Sequence, residues 1–310
     1  MRVYSFLLIS ILTSGFLKGA ASANAGGSST ALEAPINEPL SQVVLRASSK
    51  VIFERVVQAR LFHAGDWTLS GSSQTPITAA RTLASLEPSF ITGLLRLPDH
   101  GELSSAEVEA FATTRNAVLA VKKNSRFDVL INVGDEKSPE VFLERLKEFS
   151  TQIHPDAWTF YVAPDMQSIS PVVLEEGIAA AHAAGQMVGY DGPLSLIPEG
   201  VDYIVIRAWG LKLNRKKIDF LREKQRIPLL VELPTTFGNK ASADVISYVD
   251  EMDSSDRISL MTQFAENQNS WGYHLAYPIF YPLHPARHAF DVTKDNMLLV
   301  SIRSLMARFN

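Results

Sequence analysis

From residue 57 onward, short apolar runs rich in β-branched and aromatic residues alternate with longer segments whose apolar positions recur at helical spacing. The short runs are residues 59–63 (ARLFH), 90–96 (FITGLLR), 127–133 (FDVLINV), 157–163 (AWTFYVA), 186–190 (QMVGY), 202–207 (DYIVIR), 227–233 (IPLLVEL) and 258–264 (ISLMTQF), eight predicted strands in all. Helices are expected over 76–87, 104–122, 138–152, 170–184, 214–225, 241–252 and 291–309. Their start and stop signals are local. Pro76 sits at a first-turn position, Ser104-Ser105-Ala106-Glu107 is a cap-like start, Ser138-Pro139 and Ser170-Pro171 place a cap before a proline, and Gly185 ends a helix.

Alternating strand and helix implies a parallel sheet covered by helices. Eight such units within residues 57–310 predict a closed (β/α)8 (TIM) barrel of the α/β class. Only Asp191 to Val201 separate strands five and six, and Pro193 and Pro198 lie there, so that helix is expected to be short or missing. An open doubly wound sheet is the alternative, but no glycine-rich phosphate loop follows any strand.

The segment before the barrel has a different texture. Residues 41–56 carry apolar positions at helical spacing and are expected to form a helix over the amino-terminal mouth, within a single barrel domain of residues 41–310. Residues 26–40, rich in Gly, Ser, Ala and Pro, are expected to be a flexible leader. Residues 1–25 read as a signal peptide: Arg2, then a short apolar run from Phe6 to Phe16, then Ala21-Ser22-Ala23 in the small-x-small form of a cleavage site. That run is well short of the ~20 residues a bilayer span needs. The expectation is a secreted or periplasmic protein with no stable membrane span after cleavage.

Composition narrows the chemistry. The chain has 310 residues, 46% hydrophobic and 20% charged, with a net charge of −4 and both signs scattered, which gives no nucleic-acid footprint. It contains no cysteine, which removes disulfides, thiol catalysis and cysteine-ligated zinc. The spacings of His274, His284 and His288 fall outside the H-E-x-x-H pattern, so neither a metal nor a cofactor is expected.

In a (β/α)8 barrel the working site lies at the carboxyl ends of the strands. There the sequence places His63 and Trp67, Arg96, Asn132, Tyr161 and Asp165, Tyr190 and Asp191, Arg207 and Trp209, Glu232, and Gln263 and Glu266. Glu232 and Arg207 are unusual in apolar runs, because a buried charge needs a partner or a wet mouth. An ion pair between them accounts for both as readily as a functional role does. Residues 265–290 are expected to form a long loop whose aromatics, Trp271 and Tyr273 among them, offer flat faces to sugar rings. The expected partner is a carbohydrate or another polar small molecule.

Glycoside hydrolysis needs two carboxyl groups about the scissile bond. Glu232 is the first candidate catalytic residue and Asp165 its partner, with Asp191 and Glu266 in reserve. His63, Trp67, Arg96, Asn132, Tyr190, Arg207, Trp209, Gln263, Glu266, Trp271 and Tyr273 are the candidate substrate-binding residues. This layout resembles secreted glycoside-hydrolase-like barrels, whose two carboxylates end strands four and seven. The resemblance implies a carbohydrate-active site and covers the barrel layout. The chain has Ala163-Pro164-Asp165 where such families carry Asn-Glu, and it lacks the D-x-x-D-x-D-x-E run of chitinase-type barrels. The competing reading is a phosphodiesterase-type barrel using His63 and His100, with Arg96 and Arg207 holding phosphate. A third is a non-catalytic carbohydrate-binding barrel.

Overall fold

The structure, a computed structural model, describes residues 53–59, 62–63, 76–97, 102–133, 138–163, 170–207, 215–233, 254–281, 290–291 and 295–309. In chain order the elements are β1 (Val56–Ala59), β2 (Phe62–His63), α1 (Pro76–Ser85), β3 (Phe90–Arg96), α2 (Ser105–Val121), β4 (Arg126–Asn132), α3 (Pro139–Ile153) and β5 (Ala157–Tyr161). There follow α4 (Pro171–Ala183), β6 (Met187–Asp191), a single 3-10 turn (Leu194–Leu196), β7 (Tyr203–Arg207), α5 (Arg215–Gln225), β8 (Leu229–Glu232), α6 (Ser254–Trp271), β9 (His274–Tyr281), β10 (Phe290–Asp291) and α7 (Asn296–Arg308).

Strands β1, β3, β4, β5, β6, β7, β8 and β9 pair in that order, all parallel, and β9 returns to pair with β1. That closure makes a (β/α)8 barrel and excludes the open sheet, in which β1 and β9 would be edges. Strand β2 continues along β3, with His63 opposite Arg96, and β10 adds antiparallel to β9. The expected defect between strands five and six is present as the one 3-10 turn.

Side chains alternate between two cores, as strand geometry requires. Trp158 and Phe160 of β5, and Val188 and Tyr190 of β6, face outward into a layer shared with the helices. Ala157 of β5, Met187 of β6 and Tyr203 of β7 face inward and join Phe53, Phe90, Leu230 and Ala276 in a separate cluster. Phe53 stands 5.0 Å from Phe90 and 5.4 Å from Tyr203, ring to ring, and 5.5 Å from His274. This aromatic plug fills the amino-terminal end of the barrel, and burial there pushes the His274 pKa down. Gly189 lets the Tyr203 ring lie across the barrel: a Cβ at that position would stand 2.1 Å from it.

Three expectations are corrected. Residues 258–264 are not strand eight but the middle of α6, where Met261, Phe264, Ala265 and Gln268 are buried at helical spacing. The true last barrel strand, β9, lies within the segment expected as a loop over 265–290. Pro278 disguised it, since a proline argues against a central strand. The structure absorbs it with a register shift: Gln58 pairs with Pro278, but Ala59 pairs with Phe280. The first strand begins at Val56 rather than at residue 59, so the helix expected over 41–56 does not reach its predicted end. Residues 1–40, which include the expected signal and leader, lie outside the described residues, as do 41–52 and the helix expected over 241–252.

Candidate functional site at the carboxyl ends of the strands

Arg96, Asn132, Tyr161, Asp191, Arg207 and Glu232 are the last residues of β3 to β8 in turn. Register sets them side by side: Asn132 pairs with Tyr161, Tyr161 with Asp191, and Arg207 with Glu232. Asp191 and Glu232 are 6% and 5% exposed, so their charges need compensation. Arg207 supplies it. Its guanidinium donates a hydrogen bond to Asp191 Oδ2, and its Nε lies 3.9 Å from Glu232 Oε2, an ion contact too long for a hydrogen bond. The same guanidinium stands 4.8 Å from the Tyr161 ring centroid, and that of Arg96 stands 5.9 Å from it, both within cation-π range. One arginine therefore ties two carboxylates and an aromatic ring into a single cluster.

Beneath the rim lies a second polar group. The β4 residue Asp128 is wholly buried inside the barrel. Its Oδ2 accepts from Thr92 Oγ1 at 3.0 Å, from the Gly93 amide at 3.0 Å and from Thr159 Oγ1 at 2.9 Å. Gly93, at φ 64°, occupies the left-handed region within a register shift between Ile91 and Leu95, and this bulge turns its amide toward the carboxylate. The Tyr203 hydroxyl lies 3.0 Å from Thr159 Oγ1. Because Thr159 gives its only proton to Asp128, the Tyr203 hydroxyl donates toward Thr159 Oγ1 and Asp128, both of which it faces. Burial pushes the Asp128 carboxyl up to about 6, with hydrogen bonds from Thr159, Gly93, Thr92 and Tyr203 pulling the other way. Burial and the nearby Asp128 charge hold the Tyr203 hydroxyl well above its ordinary value, so it stays protonated.

The predicted site residues do not all gather in one place. Arg96, Asn132, Asp191, Arg207 and Glu232 stand together on the rim. Tyr190 does not join them: it faces the outer core, and its hydroxyl donates to the Pro193 carbonyl at 3.0 Å. Gln263 and Glu266 do not end a strand; they lie on the exposed face of α6. Trp271 and Tyr273 fall just before β9, at the opposite end of the strands from the rim, and Tyr273 is buried with its hydroxyl donating to the Phe264 carbonyl at 2.6 Å. His63 ends β2 beside Arg96 in register. Trp67, His100, Asp165 and Trp209 lie outside the described residues. The inward positions of β5 are Ala157, Thr159 and Tyr161, with no carboxylate among them. The interior set around Asp128 escaped the sequence reading. Its signal was of the same kind as Glu232: a lone acid in an apolar run, Phe127-Asp128-Val129-Leu130.

Fold and rim together define a (β/α)8 barrel with a polar, charge-compensated crown at its strand ends. Among solved structures, the chain is similar to a chitinase-like agglutinin from Robinia pseudoacacia (TM-score 0.51, 10% identity, covering 81% of this chain and 99% of that one). It is also similar to a class V chitinase from Nicotiana tobaccum (TM-score 0.50, 10% identity, covering 83% of this chain and 100% of that one). At such identity the likeness shows the barrel fold and nothing finer. No family model matches the chain, and no curated protein matches it.

Proposed function

We propose that this chain is an exported, glycoside-hydrolase-like barrel that engages a carbohydrate at the carboxyl ends of its strands. The observation that carries the reading is the rim cluster of Arg207 with Asp191, Glu232 and Tyr161, where acceptors, a donor and a ring face converge as polyhydroxyl ligands require. In this reading Glu232 is one reacting carboxylate, and Asp165, which follows β5 in the chain, is its partner. The likeness to a chitinase and to a chitinase-like agglutinin supports a sugar ligand by analogy of fold. A non-catalytic carbohydrate-binding barrel is the second reading. It is favoured by the shared compensation of Asp191 and Glu232 on one guanidinium and by the absence of inward carboxylates on β5.

The test measures reducing-end release and binding on a panel of polysaccharides, for the parent chain and Glu232→Gln. A hydrolase is expected to lose activity about 10²–10⁴-fold while binding survives. Saturable binding with no hydrolysis by the parent selects the binding barrel. No carbohydrate bound by the parent overturns both.

A further inference from the structure

Strand β3 is two residues longer than the stretch of β4 it runs beside. From Ile91 to Leu95 it takes four steps, while its partner advances only from Phe127 to Val129. Continued without interruption from the Ile91–Phe127 pair, the register would set Arg96 opposite Asn132. The bulge sets it opposite Leu130 instead. Two residues of strand rise are about 6–7 Å, so the bulge draws Arg96 back from the mouth by roughly that length. At that height its guanidinium stands 5.9 Å from the Tyr161 ring centroid, within cation-π range. Bulged backbone inside a barrel needs partners for its polar groups, and wholly buried Asp128 supplies them. Its Oδ2 accepts from the Thr92 hydroxyl and from the Gly93 amide, both at 3.0 Å, so the two bonds fall on consecutive residues where the register breaks. Thr159 of β5, at 2.9 Å, and Tyr203 of β7 brace the same carboxyl from across the barrel.

We propose that Asp128 is a positioning residue for the rim: it fixes the β3 bulge, and through the bulge it sets how far Arg96 stands from the mouth and whether its guanidinium reaches Tyr161. Asp128 touches no ligand in this scheme. It acts along the backbone, from the Gly93 amide to the end of β3 three residues later. The brace from β5 and β7 matters, because a carboxyl held on several strands cannot follow β3 if that strand slides. Tyr161 belongs to the same braced strand as Thr159, so both ends of the Arg96–Tyr161 contact are referred to one interior group. An acid that only stabilised the core would leave Arg96 where it is when replaced. The effect on a sugar ligand rests on the function proposed above, whereas the placement of Arg96 does not.

Crystal structures of full-length variants test the placement whatever binds at the rim. Asp128→Ala removes the acceptor and is expected to carry Arg96 out of cation-π range, beyond about 6 Å from the Tyr161 centroid. Asp128→Asn keeps an acceptor for the Gly93 amide and is expected to keep Arg96 in place. If Asp128→Ala does not fold, Thr92→Val decides: it removes one of the two bonds at the bulge and is expected to shift Arg96 in the same direction. Arg96 unmoved in the deciding variant, or displaced equally in Asp128→Asn, overturns the proposal. A double-mutant cycle on a carbohydrate that the parent binds reads the same coupling. Arg96→Ala and the deciding variant are each expected to weaken binding roughly two-fold or more, and the second change to cost nothing further once the first is made. Additive losses overturn the proposal. A parent that binds no carbohydrate overturns the proposed function instead, and the crystal structures then decide the role of Asp128.

Discussion

Asp128 is a carboxyl held by one oxygen, and its titration has a definite sign. Burial raises it from the ordinary 3.8 to about 6, so between those values the folded chain keeps a proton that the unfolded chain has released. The stability it contributes is therefore complete below about pH 3.8 and is lost as pH rises through about 6, on the order of 3 kcal/mol across the window. Asp128→Asn keeps an acceptor for Thr92, Gly93 and Thr159 and places an N–H donor where Oδ1 stands. The variant is expected to be about 2–3 kcal/mol more stable than the parent at pH 8, with little gain at pH 4. Partly buried Asp156, also raised by desolvation, acts in the same direction as Asp128, and His274, lowered by burial, acts in the opposite one. Both remain in the variant, so the difference between the two urea-unfolding series isolates Asp128. Equal pH slopes in the two series would remove Asp128 from this account. At this scale the sequence showed that an acid sat in an apolar run. It did not show whether a guanidinium, as at Glu232, or a set of neutral donors, as at Asp128, would meet it.

Elements with local start and stop signals were legible. The Ser104 to Glu107 run forms a full capping box, with the Glu107 amide donating to Ser104 Oγ at 3.3 Å and the Ser104 amide donating to the Glu107 carboxylate at 2.9 Å. The two ends of β3 were read from sequence as the structure has them. The α6 and β9 pair was not legible, because Ile258, Met261 and Phe264 satisfy a short apolar run as well as a helical stripe, and Pro278 spoils the strand that replaces it. A packing requirement inside α4 was equally hidden. Gly177 lies mid-helix, where alanine is ordinarily worth about 1 kcal/mol more. A Cβ there would stand 2.5 Å from Phe142 Cε1 and 3.1 Å from Phe160, whose rings form an edge-to-face pair at 5.2 Å. Crowding wins over propensity. Gly177→Ala is expected to destabilise the chain by about 1–3 kcal/mol in thermal unfolding, and Phe142→Leu in the same chain is expected to recover part of that loss.

The barrel as a whole depends on its last strand. Strand β9 pairs with both β8 and β1, so it closes the cylinder and shields two strands that would otherwise be open edges. Ending the chain at Trp271 removes β9, β10 and α7 together. That truncation is expected to show no cooperative thermal transition by circular dichroism and to aggregate. A sharp transition close to that of the full chain would mean that closure contributes little. Closure also makes the two ends of the barrel different. The amino-terminal end is filled by Phe53, Phe90, Tyr203 and His274, whereas the carboxyl ends of the strands carry the charged cluster of Arg207, Asp191, Glu232 and Tyr161.

The sequence by itself determined the alternation of strand and helix, the barrel it implies, the vestigial connection after strand five and the capping box at Ser104, while Ser138 and Ser170 precede their helices without a side-chain capping bond. These are encoded within a few residues, as periodicity, proline, glycine and capping side chains. Tertiary structure decided which of two late segments became the closing strand and which way each side chain faced. It put Tyr190 outside and Asp191 inside, left Trp271 and Tyr273 at the far end from the rim, and let Arg207 serve two carboxylates from neighbouring strands rather than one. The physical reason is reach. A local pattern sets the period of an element, but the partner of a buried charge lies some 15 to 35 residues away and is chosen only when the cylinder closes.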